Sequence, residues 1–378
     1  MLAAGLITKE RELVDLALDG PGGFKFQMRE SVTADGAWFE GAWGYHFFAL
    51  NPLLLTREMA ERAGIALPES ASLKRMLDAP LACVFPDGTL PNFNDSGYTS
   101  LSNESAWYDV GYRLFKDARY VAVAKTTGRG LESLLWGSPE FTAGTTPPLG
   151  SELLTSSGIA ILRAPGSDRT LAVKFGPHGG GHGHLDKLSF ISYARGARQA
   201  ADPGTQAYGA KSHSTWDKMT VAHNTISVDG KPQAESTGKL LEWNPGAQAT
   251  QIRVSAGPVY PGVALERTLV LTAEYTLDIA EARSLDGAAH QFDWVYHNFG
   301  ATGEHARPHD GCGGDDRGHG AGPGPGPARA GAVRDGAAER PGGAIRDGLR
   351  GLRRGAGGDP RGGDGARRVY CGDGRGTR

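Results

Sequence analysis

The sequence predicts an α+β multidomain chain: a mostly helical segment over residues 1–140, an antiparallel β-sandwich over 150–300, and a disordered tail over 301–378. Three observations carry this. Apolar residues recur at helical spacing up to about residue 140, and from Glu152 onward the period changes to two. The strand-like runs are short and separated by Gly, Pro and Asp, which favours an antiparallel sandwich over a βαβ fold. From Ala301 to Arg378 there is no Lys, Ser, Asn, Gln, Met, Phe or Trp, so too little apolar surface remains to offset the entropy of ordering the chain.

In order, Leu2, Leu6, Leu13, Leu16 and Leu18 predict one amphipathic helix over residues 1–18, ended by Gly20-Pro-Gly-Gly23. An aromatic-rich loop runs from Asp35 to Leu50, followed by helices over Leu53–Ala63 and Ser70–Leu81. Pro86–Gly97 is turn-rich, and shorter helical pieces fall at Trp107–Lys116, Tyr120–Thr126 and Gly130–Gly137. Strands are expected at Gly158–Arg163, Thr170–Phe175, Leu188–Tyr193, Asn224–Asp229, Gln251–Ser255, Ala264–Thr272, Tyr275–Glu281 and Gln291–His297.

A net charge of −2 over 378 residues gives no basic footprint for nucleic acid or an anionic membrane. No apolar run reaches the roughly 18–20 residues of a membrane span. Cys83, Cys312 and Cys371 are far apart and odd in number, which argues against a disulfide framework. The first ten residues show no signal peptide, so the chain taken at face value is soluble and intracellular. The tail reads either as a natural Gly/Arg-rich segment with weak affinity for RNA or, preferred here, as out-of-frame translation of GC-rich DNA. It is assigned no function.

The chemistry concentrates in Gly176-Pro-His-Gly-Gly-Gly-His-Gly-His-Leu-Asp186, with His178, His182, His184 and Asp186 separated almost entirely by glycine. If residues 182–186 are extended, His182, His184 and Asp186 share one face about 6.5–7 Å apart, able to hold a metal or a proton-transfer group. Tyr45 lies among Trp38, Trp43, Phe47 and Phe48, a setting that suits a core aromatic, a sugar-stacking platform or a proton-transfer group. Glu40, Asn92 and Asp95 can hydrogen-bond sugar hydroxyls or cap loops. His178 and His213 read as loop histidines.

Two segments resemble the heparinase II/III-like polysaccharide lyases, a family that includes oligoalginate lyases. They are Asp35-Gly-Ala-Trp-Phe-Glu-Gly-Ala-Trp-Gly-Tyr-His46, and Gly181–Phe190 continuing through Ala201-Asp-Pro-Gly-Thr205 to Ala222–Gly230. The resemblance covers about residues 1–300. It implies an incomplete (α/α) toroid followed by the sandwich, with a cleft between them in which a uronate-containing polysaccharide or oligosaccharide is cut by β-elimination. It also implies Tyr45, His182 and Tyr208 as catalytic residues, with Trp38, Glu40, His46 and Asn92 around the substrate. His184, Asp202 and His223 match a structural zinc site, which suits zinc's preference for imidazole and carboxylate ligands.

Family members carry further helices, one bearing an active-site histidine, ahead of the Asp-Gly-x-Trp segment. None of residues 1–34 is a histidine, so the chain is expected to be truncated at both ends. Family members are usually exported, which points to the cell envelope, periplasm or exterior, and a homodimer is compatible with the reading. Two rivals stand beside the lyase: a metal-dependent hydrolase that uses the same three ligands, and a non-catalytic, zinc-stabilised fragment that binds carbohydrate.

Overall fold

In the computed structural model, which describes residues 1–68, 70–142 and 149–299, a five-stranded antiparallel sheet separates a helical layer from a second sheet. Its strands are β1 (Glu152–Leu154), β2 (Ile159–Arg163), β3 (Thr170–Lys174), β4 (Phe190–Ala194) and β5 (Ala197–Arg198), paired in sequence order. Alternation sends side chains of one strand to opposite faces. Ile159, Ile161, Ala172, Ile191 and Tyr193 pack into the core shared with the helices. Ala160, Leu162, Leu171, Val173 and Phe190 pack into the core shared with the second sheet. Burial on both faces explains why β2 and β3 are continuous apolar runs rather than alternating ones.

The second sheet contains β7 (Lys239–Pro245), β8 (Thr250–Ser255), β9 (Val263–Leu271) and β10 (Thr276–Ser284), in the order β10–β9–β8–β7. Here β8 and β9 alternate strictly between buried and partly exposed positions, as expected where one face is solvated. A two-stranded ribbon pairs β6 (Ile226–Val228) with β11 (Phe292–Trp294). The expected strands are all present, with β6 and β11 shorter than their patterns. Strands β1, β5 and β7 were not anticipated, because the first two are only three and two residues long and β7 is almost wholly exposed.

The helical layer begins with α1 (Leu2–Thr8) and α2 (Arg11–Asp19) rather than one helix. Lys9 caps α1 in the left-handed conformation at φ 63°, and Glu10 restarts α2 from an extended backbone. After α3 (Phe24–Phe26) and a π-helical turn over Gln27–Ser31 comes α4 (Trp43–Arg62), which starts ten residues before the expected Leu53. Trp43, Phe47, Leu50 and Leu54 are all buried, so the aromatic segment assigned to a loop carries helical spacing and forms the first two turns of α4. Helices α5 (Ser70–Cys83), α6 (Ser105–Phe115), α7 (Ala118–Ala124) and α8 (Leu131–Trp136) complete the layer.

Polar contacts lock this layer to the sheet. Asp35 accepts hydrogen bonds from the backbone N–H groups of Ser156 and Ser157 at 2.7 and 3.0 Å. Arg163 donates to the carbonyls of Ala82 and Val84 at 2.9 and 2.7 Å, satisfying the C-terminal end of α5. Among the described residues no helix is long and apolar enough to cross a membrane. The tail expected over 301–378 lies outside the described residues.

Candidate active site and metal centre

Tyr45 stands in the first turn of α4, on the side opposite the buried Trp43–Phe47–Leu50 stripe. Its hydroxyl is hydrogen-bonded to that of Tyr208, 163 positions away. The His182 ring stacks on Tyr45 with centroids 3.8 Å apart and planes 17° from parallel. His213 meets Tyr208 edge-on at 4.8 Å. Two tyrosines and two histidines from three parts of the chain thus form one cluster, at the position expected for the cleft.

The segment bearing His182 is not the extended strand expected over 182–186. Gly179 and Gly180 take φ of +92° and +62°, and Gly180–His182 forms a 3₁₀ turn. A Cβ on Gly179 would lie 2.4 Å from the Glu40 carbonyl oxygen, so this close approach requires glycine. The turn gives neighbouring histidines different environments: His182 keeps 29% of its side chain exposed and His184 none. Glu40 orients the cleft. One carboxylate oxygen lies 3.0 Å from His182 Nδ1, an approach of ion-pair length, and the other accepts from Trp38 Nε1 at 3.0 Å. Trp38 also borders a cavity of about 340 Å³ with Phe39, His178 and Glu235.

Two of the expected substrate residues lie elsewhere. Asn92 is buried, donating to the Asp202 carbonyl at 2.9 Å and accepting from Arg198 at 2.5 Å, so it braces the Asp202 loop. His46 also faces the core, because one residue along a helix turns about 100° from Tyr45. Its Nδ1 accepts from the Trp38 N–H at 3.1 Å and its Nε2 donates to the Met76 carbonyl at 2.8 Å.

Burial lowers the His46 pKa from 6.5 to about 4, against the opposing hydrogen bond to Met76. The unfolded chain takes up this proton near pH 6.5 and the folded chain only near 4, so stability should fall as pH drops across that window. The loss is about 3 kcal/mol at most. In His46→Gln the urea midpoint should change less between pH 7 and pH 4 than in the parent. An equal change in both would show that His46 is not the group titrating.

Beneath the cleft, His184, Asp202 and His223 present ligand atoms within 4.8 Å of one another, and all three residues are buried. His223 Nδ1 lies 2.9 Å from Asp202 Oδ2, and its Nε2 lies 2.9 Å from the Asp217 carbonyl. A carbonyl only accepts, so the hydrogen sits on Nε2, and Nδ1 and Asp202 then need a second proton or a cation between them. Burial pulls the His223 pKa down, but the charge and hydrogen bond of Asp202, with Asp186 beside it, raise it overall.

His184 donates from Nε2 to Asp95 at 2.9 Å, which leaves Nδ1 facing this group without a partner. Asp186 Oδ2, 3.9 Å from His223 Nδ1, is also unpartnered. Two imidazoles, each steadied through its far nitrogen, with a carboxylate between them, form the donor set and outer shell that zinc takes. The residues fit that ion.

Lys174 Nζ pairs with the other oxygen of Asp186 at 2.6 Å and also donates to the Asn94 side chain. Asp95 accepts from His184 and from His213, each at 2.9 Å. Burial pushes the Asp95 pKa up, but those two hydrogen bonds and the charge of Lys218 outweigh it and hold the pKa at about 2. Neither His213, assigned to a loop, nor the bridging role of Asp95 follows from sequence spacing: their contact joins positions 118 residues apart.

A helical layer packed against an antiparallel sandwich is also found among solved structures. Heparan sulfate lyase HepC from Pedobacter heparinus superposes with a TM-score of 0.58 at 21% identity, covering 70% of this chain and 41% of that one. A crystal structure of heparinase III superposes with a TM-score of 0.62 at 16% identity, covering 75% and 45%. Residues 23–121 match the model of the heparinase II/III N-terminus, and residues 146–325 match that of the heparinase II/III-like C-terminal region. The chain belongs to the heparinase II/III-like family. An alginate lyase of Stenotrophomonas maltophilia (strain K279a) is 28% identical over 313 residues, covering 71% of this chain. The chain spans 41% of the length of that relative.

Proposed function

We propose that the protein is a polysaccharide lyase that cleaves uronic-acid-containing glycans by β-elimination. The observation that carries this is the Tyr45–Tyr208 hydroxyl pair beside His182. In the reaction a base removes the C5 proton, the C5–H electrons form the C4=C5 double bond, and the C4–O4 bond breaks as O4 takes a proton. Desolvation and the hydrogen bond that Tyr208 donates to the Tyr45 hydroxyl raise the Tyr208 pKa, so its phenol stays protonated near neutrality and suits donation to O4. Tyr45, stacked on His182, takes the acid/base role at C5. His182, beside Glu40, takes the role of stabilising the enolate-like charge that develops at the uronate carboxylate, where electrostatic stabilisation matters most.

His184, Asp202 and His223 are proposed to hold a structural zinc ion, which when bound would tie the 184, 202 and 223 segments together. Their burial argues against the hydrolase reading, since a catalytic zinc needs an open position for water and substrate. Alginate and heparan sulfate, named by the relatives, are the first substrates to try. The test is ultraviolet absorbance of the unsaturated uronate product. A lyase yields the chromophore, and brief treatment with chelator lowers the melting temperature more than it lowers the initial rate. Cleavage without a chromophore would overturn the lyase reading. A melting temperature unmoved by chelator or zinc would overturn the structural zinc.

A further inference from the structure

We infer that Asp95 is a positioning residue that ties the buried His184–Asp202–His223 group to the cleft through His213. This rests on the zinc reading above and deepens it. A single oxygen, Asp95 Oδ1, accepts from the Nε2 of His184 and from the Nε2 of His213, each at 2.9 Å. His184, whose Nδ1 has no partner, belongs to the buried group with Asp202 and His223, and His213 is the histidine against the ring of Tyr208. The Asp95 backbone N–H donates to the His182 carbonyl at 3.1 Å. Its other carboxylate oxygen lies 3.3 Å from Lys218 Nζ, which donates to the Gly181 carbonyl at 2.6 Å.

One buried carboxylate therefore fixes the orientation of a zinc-ligand ring, the ring that supports Tyr208, and the turn that carries His182. An imidazole is rigid, so a change of partner at His184 Nδ1 tilts the ring and moves Nε2 with it. Asp95 must then either follow, moving His213, or lose one of its two bonds. The cleft thereby senses whether the buried group is filled, although that group touches no substrate. A second route exists, because His223 bonds the Asp217 carbonyl and the Asp217 side chain accepts from Gln206 in the same loop. The test has to separate the two.

Hydrogen exchange of residues 205–218 in the full chain, with and without a zinc chelator, makes that separation, together with chelator competition for zinc affinity. In the parent, chelation should remove protection from this segment. In Asp95→Asn zinc affinity should fall about 10–100-fold, and the segment should be unprotected even with zinc. In His213→Gln zinc affinity should fall by no more than the factor by which zinc stabilises the segment in the parent, while the chelator no longer changes protection. Its kcat should fall by about 100-fold, with KM unchanged, through misplacement of Tyr208.

If chelation deprotects the segment as strongly in His213→Gln as in the parent, coupling runs through His223 and Asp217, and the role of Asp95 is overturned while the zinc reading stands. A parent chain that binds no zinc overturns both. If Asp95→Asn does not fold, the comparison of His213→Gln with the parent decides alone.

Discussion

Tyr45→Phe should lose about 10²–10⁴-fold in turnover on whichever uronate polymer the parent cleaves, with its fold and zinc content unchanged. The expectation is specific because little else depends on the hydroxyl. Tyr45 is partly exposed at the start of α4, and the buried stripe of that helix runs through Trp43, Phe47 and Leu50. The stacking on His182 uses the ring, which phenylalanine keeps. Among the described residues the phenol hydrogen-bonds to Tyr208 alone. Circular dichroism and zinc titration should therefore match the parent while chromophore formation collapses. A variant within about threefold of the parent would remove Tyr45 from the chemistry and leave His182 and Tyr208 to account for it.

The largest expected loss of stability follows Arg267→Ala. Arg267 on β9 is fully buried, a rare state for a guanidinium. It binds Asp278 through Nε and Nη2 at 2.8 and 2.5 Å, and through Nη1 donates to the carbonyls of Leu188 and Asn224 at 2.8 and 2.5 Å. Phe190 lies under its face at 4.5 Å. Alanine would leave a carboxylate with reduced compensation and two carbonyls without this donor, at a cost of about 3–5 kcal/mol.

Leu188 and Asn224 directly follow the segments carrying His184 and His223, so zinc affinity should weaken as well. Arg267→Lys should fall between, since one ammonium cannot reproduce the planar fork. Denaturant midpoints measure the effect, and a loss below about 1 kcal/mol for the alanine variant would contradict it.

How far the sequence reveals this molecule depends on the range of the interaction in question. The strands β8, β9 and β10 follow from an alternation written in neighbouring residues. The outer sheet's β7 does not, because a bulge between Leu240 and Glu242 breaks its period, so that Leu240 and Trp243, three positions apart, are the residues packed against the core. The start of α4 was hidden for a different reason. Aromatic side chains are weak helix formers, and only their packing against the rest of the layer makes residues 43–50 helical.

Within the site, His184, Asp202 and His223 could be named from their motif. That His182 and His184 part company depends on two left-handed glycines, of which Gly179 is pressed against the Glu40 carbonyl. Asp95 lies on a loop and His213, expected on one, opens a π-helical turn over His213–Asp217; their meeting is a tertiary event, and His46 lies beside Tyr45 in sequence while pointing into the core.

The middle sheet has one further consequence, for how this architecture can be reused. Ile159, Ile161, Ala172, Ile191 and Tyr193 form a floor shared with the helices, so the seam between the two halves has the character of an interior. A sandwich lifted out at that seam and fused to another scaffold would carry a wet apolar face and would aggregate unless the floor were redesigned. It would also lose Tyr45, Glu40 and Asp95, so catalytic groups and foldability would leave together. The two halves are thus a single unit of inheritance, and productive recombination within this family should fall at chain segments that do not cross that floor.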